Sequence, residues 1–164
     1  MQLGRLATVA LMILSVVLLA GCSGDSVPPS ELLLGPADFP GQSVIETRKD
    51  RGETSLDEAT VQVELTGSDF VLLESLVLFE TENLAQSILS GIKQDQISQG
   101  TTAQPVQGFE DNSGVIEDQL HADEASTVFF IQGRALVRIT LTGPKHQESV
   151  WEIARLARDK SDSL

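Results

Sequence analysis

ASTVFFIQGRALVRITLT, the run from residue 125 to residue 142, carries the clearest structural signal in the sequence. Apolar and β-branched residues fill two segments, Ala125–Ile131 and Arg134–Thr142, and the Gln132-Gly133 pair between them is typical of a tight turn. Alternation in the second segment separates two sets of side chains. The inward set would be Ala135, Val137, Ile139 and Leu141, and the outward set Arg134, Arg138 and Thr140. The run predicts an antiparallel hairpin with one face against a core.

Two earlier segments predict further strands of the same sheet. Residues Thr60–Thr66 alternate between apolar and polar side chains, which is typical of a half-buried strand. The segment Phe70–Phe79 is apolar on both faces except for Glu74 and Ser75, as in a central strand covered on both sides. A short buried helix is the alternative for that segment.

The residues before these strands suggest an ordered entry to the domain. Glu31–Leu34 predicts a helical turn stopped by Gly35-Pro36, and Phe39 is the packing anchor of the loop that follows. Ser43–Arg48 is a plausible first strand. We expect the charged residues Lys49–Ala59 to form an exposed connection.

Two segments have the period of amphipathic helices. The first runs from Thr81 to about Ile97, and its apolar face holds Leu84, Ala85, Ile88, Leu89 and Ile92. The second begins after Gly143-Pro144 and would pack through Val150, Trp151, Ala154 and Ala157. With a further strand near Val115-Ile116, the order is strands, helix, strands, helix. It predicts an α+β fold, a mainly antiparallel sheet packed with two principal helices, and suggests two pseudo-repeated halves.

Composition excludes several classes of function. The 164 residues include 24 acidic and 11 basic side chains, a formal charge of −13, which argues against nucleic-acid binding. A single cysteine excludes an internal disulfide and multi-cysteine metal sites. No G-x-S-x-G nucleophile motif is present, and neither histidine has the context of a catalytic triad. We predict no enzyme activity and no cofactor.

The amino terminus has the pattern of an export signal. One basic residue, Arg5, precedes the apolar run Leu6–Leu18, which is short for a membrane span. Leu19-Ala20-Gly21-Cys22 then resembles the lipobox of bacterial lipoproteins. The resemblance implies thioether attachment of diacylglycerol to Cys22 and cleavage before it by signal peptidase II. An uncleaved amino-terminal anchor is the alternative.

This resemblance sets the expected organisation and location. Residues 1–21 would be a signal peptide, 22–30 a lipidated cysteine and flexible tether, 31–160 one α+β domain, and 161–164 a disordered tail. Removing residues 1–21 removes one charged side chain, Arg5, so the charge changes from −13 to −14. The acyl chains would hold the protein to the outer face of the plasma membrane, or to the outer membrane in a Gram-negative host.

The body of the chain resembles small uncharacterised envelope lipoproteins. The resemblance covers most of residues 32–158 and includes LLLGPADFPG at 32–41, the acidic pair Asp123-Glu124, the hairpin, and the helix around Trp151–Arg158. Ala122 departs from the glycine expected before the acidic pair. The resemblance implies an α/β sandwich similar to PsbP-like and kinase-sensor domains, without catalytic residues to carry over.

Two groups of residues are candidate sites. His121, Asp123 and Glu124 could ligate a metal with help from His146 or Glu110, although a solvated acidic loop is the simpler interpretation. Arg134 and Arg138 could bind a carboxylate ligand. The alternative role of these arginines is an internal ion pair with Glu117 or Glu124.

The sequence favours a lipid-anchored, non-enzymatic binding or sensing domain at the cell envelope. One alternative is an accessory or scaffold subunit whose partner is another envelope protein. Another is a binder of divalent metal or cationic ligands through the acidic segment 110–124.

Overall fold

The computed structural model describes residues 27–53, 59–98, 108–109, 113–117, 125–144 and 146–162. They form an antiparallel sheet with two helices, which confirms the α+β prediction. The strands are β1 (Ile45–Glu53), β2 (Ala59–Thr66), β3 (Val71–Leu78), β4 (Ser113–Glu117), β5 (Ala125–Gln132) and β6 (Ala135–Thr142). The helices are α1 (Glu82–Ser98) and α2 (His146–Ser161), and short 3-10 turns span Pro29–Glu31 and Pro36–Asp38.

The six strands lie in the order β1-β2-β3-β6-β5-β4, and every neighbouring pair is antiparallel. Each half of the chain contributes three strands and a helix, and β3 pairs with β6 where the halves meet. The halves are not symmetric copies, because α1 and α2 both contact β5 and β6 but from opposite faces of the sheet. The predicted order of elements is therefore correct, whereas the suggested repeat does not extend to the packing.

Consecutive phenylalanines on β5 show how the two helices divide the sheet. Strand alternation sends neighbouring side chains to opposite faces. Phe130 belongs to the main core under α2, and Phe129 belongs to a smaller cluster under α1. Both are buried, so each helix covers one of them.

The α2 face carries the main core. The inward residues predicted for β2 and β6 are at most 1 % exposed, as are Val150, Ala154 and Ala157 of α2. On the same face, the segment Pro29–Phe39, hereafter the strap, covers the sheet beside α2. Its residues Leu32, Leu33 and Leu34 are all fully buried, and Val27 also packs against this core. The packed part of the chain thus extends from Val27 to Ser161, which is buried at the end of α2.

Four local predictions need correction. Strand β1 begins at Ile45 and continues to Glu53, so Lys49–Glu53 belongs to a strand and not to a connection. Its charged side chains are tolerated because β1 is an edge strand, where charges also discourage pairing with other chains. The hairpin turn consists of Gly133 and Arg134, which places Arg134 in the turn. Gly133 has a φ of +54°, the left-handed conformation that such two-residue turns require.

The third correction concerns β3. Its α2-side residues are buried, but its other face is covered only in part, since Val71 remains 40 % exposed. Helix α1 lies over β5 and β6 and reaches β3 only near Val77. The helical turn expected at Glu31–Leu34 lies instead at Pro29–Glu31, and the three leucines follow it.

Candidate functional site

Most of the residues that the sequence marked as sites lie outside the described part of the chain. These are the lipobox residues Leu19, Ala20 and Gly21, the lipidation candidate Cys22, and the metal candidates His121, Asp123 and Glu124. Among the residues described, no group of three His, Cys, Asp or Glu side chains could hold a metal ion. None of the described helices is long and apolar enough to cross a membrane.

The structure does describe Arg134 and Arg138, which lie in the hairpin turn and in β6. Arg138 is exposed on the α1 side of β6, where its Cα partners are Ser75 on β3 and Phe129 on β5. Arg134 lies in the turn, and its carbonyl oxygen accepts a hydrogen bond from the Phe79 amide at 2.9 Å. Neither arginine lines the cleft described next.

A cleft of about 420 Å³ opens on the α2 side, at the end of the sheet where β2 turns into β3. Such a volume is within the ordinary range of small-molecule sites. Its apolar wall consists of Phe39, Phe70, Leu141, Ile153 and Leu156, and its polar wall of Gln42, Ser68, Asp69, Ser149 and Glu152. Four parts of the sequence therefore meet there: the strap with the residues just after it, the β2–β3 turn, the end of β6 and α2.

Local structure explains how each part reaches the cleft. Helix α2 contributes Ser149, Glu152, Ile153 and Leu156, whose spacing of three and four residues places them on one helix face. The β2–β3 turn is closed by a 2.9 Å hydrogen bond from the Gly67 amide to the Phe70 carbonyl.

Two close contacts shape the cleft wall. Phe70 packs against Phe39 of the strap, with ring centroids 5.8 Å apart. Gly143 allows the Asp69 carbonyl oxygen to approach so closely that a Cβ atom there would lie 2.3 Å from it. The cleft wall is therefore built by packing between segments that are distant in sequence.

The charged residues of the cleft lining are acidic. Asp69 and Glu152 are exposed, whereas Leu141 at the base is 1 % exposed. Among the described residues that line the cleft there is no lysine, arginine or histidine. The cleft thus offers an apolar base and two carboxylates near its opening.

Sequence reasoning missed this cleft, although one signal for it was available. The predicted apolar face of the last helix includes Val150, Ala154 and Ala157, but Ile153 and Leu156 fall outside that set. Apolar residues beside the main stripe of an amphipathic helix indicate a second contact surface. The other walls depend on tertiary contacts that local pattern does not contain.

A second cluster, centred on Glu74, lies beneath the strap. Glu74 is 1 % exposed in the middle of β3, on the α2 side of the sheet. Its Oε2 atom accepts a hydrogen bond of 2.7 Å from the Leu34 amide, while Oε1 has no hydrogen-bond partner within the described part of the chain. Burial raises the pKa of Glu74 to about 7, although the Leu34 hydrogen bond and the positive charge of Lys160 act to lower it.

An ion pair closes the strap beside this carboxyl group. Lys160 Nζ lies 2.7 Å from Asp38 Oδ2, and the same oxygen accepts a hydrogen bond of 2.7 Å from the Gly35 amide. The pair joins the strap to the end of α2. Since Glu74 is enclosed and does not line the cleft, its geometry suits holding the strap and not touching a substrate.

No family model, curated protein or solved structure matches this chain. The resemblance to small envelope lipoproteins therefore stays a prediction.

Proposed function

We propose that this protein is a lipid-anchored, extracytoplasmic binding protein that holds a small ligand in the cleft beside Phe39 and Phe70 and carries out no chemistry on it. The observation that carries the binding role is the cleft itself, with its volume of about 420 Å³, apolar base and polar opening. Sites of this size and lining are typical of small-molecule recognition.

The chemistry of the lining favours binding over catalysis. Its hydroxyl groups belong to Ser68 and Ser149, and the lining residues that the structure describes include no histidine or lysine to act as a base for either. Asp69 and Glu152 supply the carboxyl groups of the lining, and both are exposed to solvent, as suits contact with a polar part of a ligand.

The anchor is proposed from Leu19–Cys22 alone. The position of Val27 is consistent with it, because Val27 packs against the core and lies only five residues after Cys22 in the sequence. A lipid on Cys22 would hold the domain close to the membrane surface. The acidic charge of the protein would oppose direct adhesion to anionic lipids.

The anchor is tested by metabolic labelling with palmitate in cells that express the full chain. We expect the wild-type protein to be labelled, Cys22→Ser to be unlabelled, and globomycin to accumulate an unprocessed precursor. Ser23→Ala is the matched control and should be labelled normally. Equal mobility with and without globomycin, together with no label in the wild type, would overturn the anchor.

The cleft is tested with Nile red, an uncharged apolar dye whose emission rises when it leaves water. Ser149→Trp places a large side chain in the cleft, whereas Gln147→Trp places it at an exposed position of the same helix. We expect the dye to bind the wild type and Gln147→Trp and to lose at least about tenfold in affinity for Ser149→Trp. Equal affinity for all three proteins would show that the cleft is not the binding site.

A further inference from the structure

We infer that the ligand class of this cleft is an amphiphilic organic cation, an ammonium or similar positively charged head attached to an apolar body. The inference rests on the proposed binding function and specifies the chemistry of the occupant. It uses the distribution of charge and apolar surface within the cleft, which the proposed function does not require.

The apolar body is implied by the base and inner wall. Leu141 and Ile153 are buried there, and Phe70 and Leu156 extend the same surface toward solvent. Leu156 is 43 % exposed, so an occupant would remove apolar surface from water on the protein side as well as on its own. Each buried methylene group of a ligand contributes roughly 0.8 kcal/mol to such an association.

The positive head is implied by the charges around the opening. Asp69 from the β2–β3 turn and Glu152 from α2 both line the cleft, and none of the lining residues that the structure describes has a basic side chain. The nearest hydrogen-bond partner that the structure gives the Asp69 carboxylate is the neighbouring Ser68 hydroxyl, at 3.2 Å. An anionic head would meet two like charges at the same place.

The dipole of α2 does not reverse this preference. Its positive end acts mainly within the first turn, residues 146–149, and carries about half an elementary charge. Glu152 lies one turn further along, and with Asp69 it brings two full negative charges to the opening. Both carboxylates are exposed, so each contributes modestly, in the range of surface ion pairs.

The experiment compares three probes with the same eight-carbon chain: octyltrimethylammonium, octyl sulfate and 1-octanol. Each is used below its micelle-forming concentration, in 0.15 M salt, to displace Nile red from the full chain. We expect the cation to displace the dye at about one-tenth of the concentration that the sulfate requires, with the alcohol between them. The emission of the single tryptophan, Trp151 on α2, gives a second readout that does not involve the dye.

Two matched double variants separate the cleft from the overall charge of the protein. Asp69→Asn with Glu152→Gln removes both cleft carboxylates, and Glu80→Gln with Glu82→Gln removes two exposed carboxylates elsewhere. We expect the first pair to reduce the preference for the cation to less than about threefold and the second to leave it unchanged.

The outcomes distinguish this inference from the proposed function. Equal displacement by cation and sulfate, or equal loss of preference in both double variants, would overturn the cationic ligand class while leaving the cleft as a binding site. Failure of Nile red to distinguish Ser149→Trp from Gln147→Trp would instead overturn the cleft itself.

Discussion

Glu74 places an ionisable group where the surrounding side chains are almost all apolar. Its neighbours on the same face of β3, Leu72 and Leu76, are fully buried in the core that also holds the three leucines of the strap. One oxygen holds the Leu34 amide, and the other has no partner among the described residues. Burial therefore favours the protonated form, and the pKa rises from its usual 4.5 to about 7.

The raised pKa of Glu74 predicts how stability depends on pH. Since the folded protein binds this proton more tightly than the unfolded chain, the stabilisation is fully present below pH 4.5 and is lost as pH rises to about 7. The loss amounts to about 3 kcal/mol, at about 1.4 kcal/mol for each unit of pKa shift. Urea unfolding of the wild type and Glu74→Gln at pH 4.5 and pH 8 measures it.

Glu74→Gln removes the titrating group and keeps the shape of the side chain. Between pH 4.5 and pH 8, the free energy of unfolding of this variant should therefore fall by about 3 kcal/mol less than that of the wild type. Other titrating groups are common to both proteins and cancel in the comparison. Parallel changes in the two proteins would contradict the prediction.

Two glycines with different surroundings give a second prediction at this scale. Gly143 has a φ of +139° and faces the Asp69 carbonyl, whereas Gly91 lies in α1 with no atom near the position of a Cβ. We expect Gly143→Ala to lose at least about 2 kcal/mol of unfolding free energy through strain and overlap. Gly91→Ala should gain roughly 0.5–1 kcal/mol from helix propensity. Chemical denaturation of both variants measures the two changes in unfolding free energy. Changes of similar sign and size would refute the prediction.

At the scale of elements, the two helices have different structural roles. Helix α2 completes the main core, supplies one wall of the cleft, and uses its last turn to hold other segments. Arg158 there lies 4.5 Å from the ring centroid of Phe109 and donates a hydrogen bond to the Gly108 carbonyl. Helix α1 covers a smaller cluster on the opposite face and supplies none of the described residues that line the cleft.

The packing of α1 predicts a sharp difference between two of its apolar residues. Leu89 is 4 % exposed and belongs to the cluster with Phe129, whereas Ile97 is 66 % exposed near the end of the helix. Leu89→Ala should cost about 2–5 kcal/mol of unfolding free energy, and Ile97→Ala less than about 1 kcal/mol. Thermal and urea unfolding provide the test. A cost for Ile97→Ala as large as that for Leu89→Ala would mean that a partner covers this end of the helix.

How well the sequence predicts the structure differs from element to element. Alternation identified β2 and β6 because each has one buried face, and helical period identified α1 for the same reason. The charged end of β1 did not show that signal, since an edge strand needs little apolar surface. The hairpin turn lies one residue later than predicted, because its first position is Gly133 and not Gln132.

At the scale of the whole molecule, the sequence did not predict the cleft or the burial of Glu74, because both depend on contacts between residues that are distant in sequence. The burial of Glu74 follows from where the strap lies, and the cleft needs the strap, a turn and α2 together. The lipobox pattern is the opposite case, since Leu19–Cys22 is a contiguous motif. Its role stays a prediction, as does metal binding by His121, Asp123 and Glu124.

The ion pair between α2 and the strap predicts a coupling across the molecule. Lys160 and Asp38 act on Glu74 in opposite directions, the lysine lowering its pKa and the aspartate raising it. Removing the lysine with Lys160→Met should raise the pKa of Glu74 further. The loss of stability with rising pH should then occur at higher pH than in the wild type.

Arg155→Met, at an exposed position of the same helix, is the matched control and should leave the transition where it is. Stability curves measured from pH 4 to pH 9 locate the transition in each protein. An unchanged transition in Lys160→Met would show that the ion pair does not influence the pKa of Glu74.

The contact between Asp38 and Lys160 also sets an order of events in the life of the chain. The two residues are 122 positions apart, so a chain made from its amino end contains the strap long before it contains the lysine that pairs with it. During that period the three adjacent leucines of the strap depend on the sheet alone for burial, and aggregation and capture by chaperones compete with folding. The strap is made before every strand of the sheet, yet its ion pair with α2 forms only after that helix has been made.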